Sequence, residues 1–202
     1  MTETKTNRIA VIVLVLSVVI LMAGSFVLWQ ASQSKHTVMQ GYPSLGGDFI
    51  LQSAEGPVSL SDYKGKTIVL YFGYAFCPDV CPTSLGLLSV ALGKLKAEEL
   101  DKIQAFFISV DPERDTVEKL KIYANSFHSS IKGITGTAED IAKVAKLYGA
   151  MYMKVDLPGS AMGYAVDHSS RYYVVDSTGK VKKLIDHGTS PDDIVASLRS
   201  VM

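Results

Sequence analysis

The sequence predicts an α/β domain, a mixed sheet flanked by helices, behind a single N-terminal transmembrane helix. Three observations predict it. The segments "KTIVLYFGYAF" and "KIQAFFISVD" are continuous β-branched and aromatic runs, the pattern of central strands buried on both faces. Amphipathic helical patterns alternate with them, and a later antiparallel hairpin makes the sheet mixed. Ahead of all this, Ile9 to Trp29 is an uncharged apolar run of about twenty residues, long enough to cross a bilayer as a helix.

Taken in order, residues 1–8 form a short cytoplasmic tail, 9–29 the transmembrane anchor, 30–46 a polar tether and 47–202 the folded domain. A cleaved signal peptide would have a shorter apolar core and a small-residue cleavage pattern, and no clean A-x-A follows here. Lys5 and Arg8 precede the span and Lys35 follows it, a modest bias that keeps the tail inside. The main domain is then extracytoplasmic, on the periplasmic side or its equivalent. "DFILQSAEGPVSLSDYKG" reads as a hairpin turning at Glu55-Gly56. The first central strand follows, then "PTSLGLLSVALGKLKAEEL" as one helix. After the second central strand, "DTVEKLKIYANSF" is a helix with Asp115 as N-cap. "TAEDIAKVAKLYG" is another, capped by Thr137 and stopped by Gly149. "RYYVVDSTGKVKKLID" is a hairpin, and "SPDDIVASLRSVM" a closing helix with Ser190 as cap and Pro191 at its first position.

Composition excludes some functions. Lysine plus arginine (20) equals aspartate plus glutamate (20), so nothing points to nucleic acid as a partner. A domain of roughly 160 residues has a core of its own and needs no staple. The chain's two cysteines, Cys77 and Cys81, are therefore expected to be chemical rather than structural. They sit at the carboxyl end of the first central strand, where open α/β sheets gather ligands, which is a thioredoxin-like layout.

Each cysteine precedes a proline, Pro78 and Pro82. Pro82 suits the first helical position, which would make Cys81 the N-cap and the more acidic thiol. Asp79 lies between the pair, and its charge opposes two thiolates. The site can be an oxidisable dithiol or the seat of a soft cation. Structural zinc takes four protein ligands, whereas two thiolates and one imidazole suit copper. The chain offers His36, His128, His168 and His187. His36 lies in the tether, His128 follows a helix it can cap, and His187 ends a charged strand and reads as solvent-facing. His168 sits in a loop just before a buried strand, facing the cysteine loop in such a layout. Spacing alone does not select it over an ordinary surface histidine.

Taken together, "YFGYAFCPDVCP", "FFISVDPERDT" and "VDHSSRYYVVD" resemble the SCO/SenC family of copper chaperones for cytochrome c oxidase assembly. The resemblance runs from about Gly47 to the end of the chain. It implies that Cys77, Cys81 and His168 bind copper, as Cu(I) or Cu(II), in a thioredoxin-like fold with an N-terminal hairpin and an insertion. It implies as partners the dinuclear copper site of cytochrome c oxidase subunit II and an upstream copper donor or thiol reductant. Family members often carry Thr-His before the first cysteine, where this chain has Ala75 and Phe76 and so a more apolar lip.

The same dithiol also suits a thiol–disulfide oxidoreductase that keeps a target's cysteines reduced, or a redox or copper sensor. A dedicated oxidoreductase usually shows C-x-x-C and has no use for His168. A purely structural disulfide would leave that histidine unexplained. The expectation is a metallochaperone and not an enzyme, with Cys77 and Cys81 as a redox-active pair and no catalytic residue assigned. In "VDPERDT", Asp111, Glu113, Arg114 and Asp115 are expected to cap the next helix and pair locally.

Overall fold

The computed structural model describes residues 44–202 together with Tyr42, Met22 and Ser25. The expected tail, all of the anchor but Met22 and Ser25, most of the tether, and His36 lie outside the described residues. Among the described residues no helix is long and apolar enough to cross a membrane.

The domain opens with the expected hairpin, β1 (Ile50–Ser53) and β2 (Gly56–Ser59). Its turn is Ala54-Glu55, one residue earlier than the sequence suggests. Ser53 pairs with Gly56, whose φ of 118° suits glycine and few other residues. The first central run becomes β3 (Thr67–Gly73), buried at every position. Helix α1 (Val80–Gly93) follows, and the expected single helix breaks at Lys94–Lys96 before a short α2 (Ala97–Leu100). There the Glu99 carboxylate accepts the Lys96 N–H and starts the new turn.

Next come β4 (Ile103–Ser109), α3 (Val117–Phe127), β5 (Ile131–Ile134) and α4 (Ala138–Tyr148). Strands β6 (Tyr152–Asp156), β7 (Tyr164–His168), β8 (Arg171–Val175) and β9 (Val181–Asp186) precede the closing α5 (Pro191–Arg199). Thr137 and Ser190 cap α4 and α5 as expected, and Gly149 ends α4 at a φ of 63°.

The main sheet has five strands in the order β5-β4-β3-β8-β9. β3, β4 and β5 run parallel and β8 and β9 antiparallel, so the sheet is mixed as expected. Alternation puts Tyr71, Phe107 and Tyr172 on one face and Phe72, Phe106 and Tyr173 on the other. On the first face Tyr172 Oη donates to the Ser84 carbonyl of α1, and the Tyr123 ring of α3 lies 5.3 Å from Phe107. On the second face Tyr148 of α4 packs against Phe72 and Tyr173 at 6.2 and 6.3 Å. Helices therefore cover both faces, which is why the central strands read as unbroken apolar runs.

Three strands have no counterpart in the sequence reading. β5 is four residues long and carries Lys132 and Gly133, so it has no strand signature. A Cβ at Gly133 would lie 2.5 Å from the Leu120 carbonyl, because α3 presses directly on that strand. β6 and β7 pair only with each other, in a small separate sheet. His168, expected in a loop, is instead the last residue of β7 and pairs with Tyr152.

Candidate metal centre

The cysteine segment takes its geometry from the end of β3. After Gly73 the chain turns, and the Cys77 N–H reaches back to the Tyr74 carbonyl at 3.2 Å. Helix α1 then starts at Val80, with Asp79 before it accepting the Thr83 N–H through its carbonyl at 3.1 Å. Cys81 is therefore the second helical residue and Pro82 the third, not N-cap and first position. A proline fits anywhere in the first turn, because those N–H groups have no intrahelical acceptor to lose. Being inside the helix turns Cys81 toward the sheet. It is 0% exposed, against 8% for Cys77. Its sulfur occupies space that Gly73 leaves open: a Cβ there would sit 2.6 Å from Cys81 Sγ.

His168 enters from the separate hairpin, 87 residues further along, and its Nε2 lies 3.2 Å from Cys81 Sγ. The Tyr71 and Tyr74 rings meet the imidazole edge-on, at 6.2 and 5.9 Å between centroids. The ligating atoms of Cys77, Cys81 and His168 all lie within 4.8 Å of one another. The three residues singled out from the sequence are thus brought together.

Their electrostatics reverse one expectation. Cys77, not Cys81, is the more acidic thiol. The Cys81 S–H donates to the Cys77 sulfur, and the His168 imidazole and the Asp79 and Cys81 backbone N–H groups add to the lowering. Cys81 is pushed up because its proton is held in that bond and its sulfur is buried. Asp79, expected to work against thiolate through its charge, assists Cys77 through its backbone N–H.

The other described histidines have separate roles. His128 closes α3, and its Nδ1 accepts the Ser130 N–H at 3.1 Å. His187, expected to face solvent, is half-buried with Nδ1 2.8 Å from the Ser84 hydroxyl. The carbonyl of that serine accepts from Tyr172, so α1 carries a polar contact beneath the cysteine turn.

The charged segment after β4 does more than cap a helix. Thr116, not Asp115, is the N-cap of α3, its hydroxyl accepting the Lys119 N–H. Asp115 is buried. Its Oδ2 accepts the Ala75 N–H at 2.9 Å and the Ser109 hydroxyl at 2.6 Å, which ties the cysteine turn to the end of β4. Burial pushes the Asp115 carboxyl up. Arg114 pairs with Asp111, as local pairing anticipates, and also lies 5.1 Å from the Phe76 ring centroid. Phe76 is 48% exposed and forms the apolar lip expected from the sequence. A signal for these residues was available: β4 runs parallel beside β3, so whatever follows β4 emerges next to the cysteine turn.

A family model described as SCO1/SenC matches residues 37–202. The bovine "Protein SCO2 homolog, mitochondrial" is 37% identical over 158 residues, 77% of this chain and 59% of the bovine protein. The chain thus spans under two thirds of that relative's length. The solution structure of apo Sco1 from Thermus thermophilus is similar, with a TM-score of 0.74 and 35% identity over 84% of this chain and 99% of that one. The Bradyrhizobium japonicum ScoI structure, described with copper bound, has a TM-score of 0.70 and 37% identity over 78% of this chain and 99% of that one. Motif, fold and similarity agree: the chain belongs to the SCO1/SenC family.

Proposed function

We propose that this chain is a membrane-anchored copper metallochaperone, binding copper through Cys77, Cys81 and His168 and delivering it to the dinuclear copper site of cytochrome c oxidase subunit II. Residues 9–29 hold it to the membrane, and residues 47–202 work outside the cytoplasm. An upstream copper donor or a thiol reductant supplies it.

The observation that carries this reading is the convergence of two sulfurs and one imidazole nitrogen within 4.8 Å. That donor set is soft and falls short of the four ligands of structural zinc. It fits copper in both oxidation states. Two thiolates satisfy Cu(I) in low coordination, and the imidazole supplies the nitrogen donor that Cu(II) prefers. One sulfur already favours the thiolate form, and the metal displaces the proton of the other. The copper in the Bradyrhizobium relative supports the same assignment. Handing copper on needs at least one accessible donor, and Cys77 is the less buried of the two sulfurs.

A second reading is a dithiol reductant for the target's cysteines. The hydrogen-bonded thiolate and thiol favour it, because one sulfur can attack a disulfide and the other resolve the mixed intermediate. The His168→Ala variant separates the two. It keeps both sulfurs, so reductase activity should persist. Cu(I) should stay bound, while Cu(II) binds far more weakly and its thiolate charge-transfer band shifts. Unchanged Cu(II) binding with an unchanged spectrum would remove His168 from the site and favour the reductant.

A further inference from the structure

The hairpin that carries His168 shares no strand pairing with the main sheet, which reaches the imidazole only through the two-residue link to β8. Side chains from residues 111–115 hold the other end of β7. Arg114 Nη1 donates to the carbonyl oxygens of Met162 and Tyr164, at 3.2 and 3.0 Å. Its Nε pairs with one Asp111 oxygen, and the Tyr164 hydroxyl donates to the other at 2.8 Å. The guanidinium lies 3.6 Å from the Tyr164 ring centroid. Next along the chain, Asp115 holds the cysteine turn through the Ala75 N–H. Two adjacent side chains thus hold the two halves of the donor set.

Strand geometry carries the grip to the imidazole. Tyr164, Val166 and His168 alternate along β7 and share a face, and Val166 in the middle is buried. Fixing Tyr164 turns that face inward and leaves His168, at the end of the strand, against Cys81. We propose that Arg114 is a positioning residue for the nitrogen donor: it docks the β6–β7 hairpin so that His168 Nε2 meets the cysteine sulfurs. The proposal rests on the copper reading above. It assigns the effect of Arg114 to Cu(II), which uses the nitrogen, and not to Cu(I), which the sulfurs hold. Lysine cannot take its place, since a single ammonium cannot serve a carboxylate, two carbonyls and a stacked ring together.

The test uses the full chain in detergent, with Arg114→Gln and Arg114→Lys, each alone and combined with His168→Ala. Affinities for Cu(II) and Cu(I) are measured by competition, nitrogen coupling in the Cu(II) electron paramagnetic resonance spectrum is recorded, and amide hydrogen exchange is followed without metal. Loss of a partner that orients a ligating histidine typically costs 10–100-fold in affinity, and a Cu(II) loss of about that size is expected from both variants. The nitrogen coupling should weaken and Cu(I) affinity should hold. Metal-free exchange should speed up in β7 but not in β3 or β8. In the His168→Ala background the Arg114 changes should add nothing. Tyr164→Phe, which keeps the ring and loses the hydroxyl's bonds to Asp111 and Glu113, should give a smaller loss of the same sign. Parent-like Cu(II) affinity, or an undiminished loss without His168, overturns the positioning role. Absence of copper binding by the reduced parent chain would instead overturn the copper reading, and the positioning role with it.

Discussion

The two regions that meet at the site are built in opposite ways. The cysteines hang from the end of β3, a strand buried at all seven positions and paired on both sides. His168 hangs from β7, whose neighbour β6 has no buried residue and which is held to the body by side chains. Sulfur positions are therefore fixed by global folding, and the imidazole position by a few local contacts. The difference suits the proposed handing-on of copper, since one donor can move without melting the core.

The largest expected effect breaks the first region. Phe72→Ala removes a fully buried ring packed against Tyr148 and Tyr173, and should cost about 3–5 kcal/mol of stability. Copper binding in either oxidation state should be lost together with the fold as denaturant is added. Tyr152→Ala, in the half-buried strand opposite His168, should cost far less in the same denaturation experiment. Equal losses at the two positions would show that the hairpin is part of the cooperative core.

The same contrast decides what could be read from the sequence. Burial on both faces leaves an unmistakable run of residues, so β3, β4 and β8 were legible, and with them the place of the cysteines. Caps were legible where a side chain has a single use, as at Thr137 and Ser190. The hairpin was not, because "YMKVD" is half-exposed and the two strands are held through Lys154 and Tyr164 by the distant residues Glu113 and Asp111. Asp115 was misread, and the reach of Arg114 beyond its local pair missed, for a related reason. A charged residue beside a helix start looks like a cap, and only the parallel register of β4 and β3 shows that it faces the cysteine turn. His168 itself needed the family resemblance, since spacing alone left it level with a surface histidine.

A smaller effect sharpens the link between the regions. Asp115→Ala leaves the half-buried Ala75 N–H and the buried Ser109 hydroxyl without their acceptor, which should cost about 1–3 kcal/mol. Asp115→Asn keeps an acceptor oxygen and removes the charge, and its effect should depend on pH. Burial raises the folded-state pKa of Asp115 above its unfolded value, so the folded state binds that proton more tightly. The parent's stability from this group is present below the unfolded pKa and is lost as pH rises through the raised folded pKa. Relative to the parent, Asp115→Asn should therefore gain stability as pH increases across that window. Urea midpoints collected over a pH series check this, and a trend of the opposite sign would mean that hydrogen bonds outweigh burial at this carboxyl.

The smallest effect leaves the fold untouched and reads the cysteines directly. Cys77 is lowered by the bond from the Cys81 thiol and by neighbouring N–H groups, whereas Cys81 is raised and has no exposed surface. A small alkylating agent should therefore modify Cys77 first in the reduced, metal-free chain, as peptide mapping would show. Its rate should persist as pH falls below the ordinary thiol range, because the thiolate survives there. The Cys81→Ala change tests the cause. It removes the donor that lowers Cys77 most, so the pH midpoint for Cys77 labelling should move up toward an ordinary thiol. His168→Ala should move it in the same direction, since the imidazole also lowers Cys77. Preferential labelling of Cys81 would restore the helix terminus as the main influence on the pair. It would also make Cys81 the donor that an incoming partner meets first.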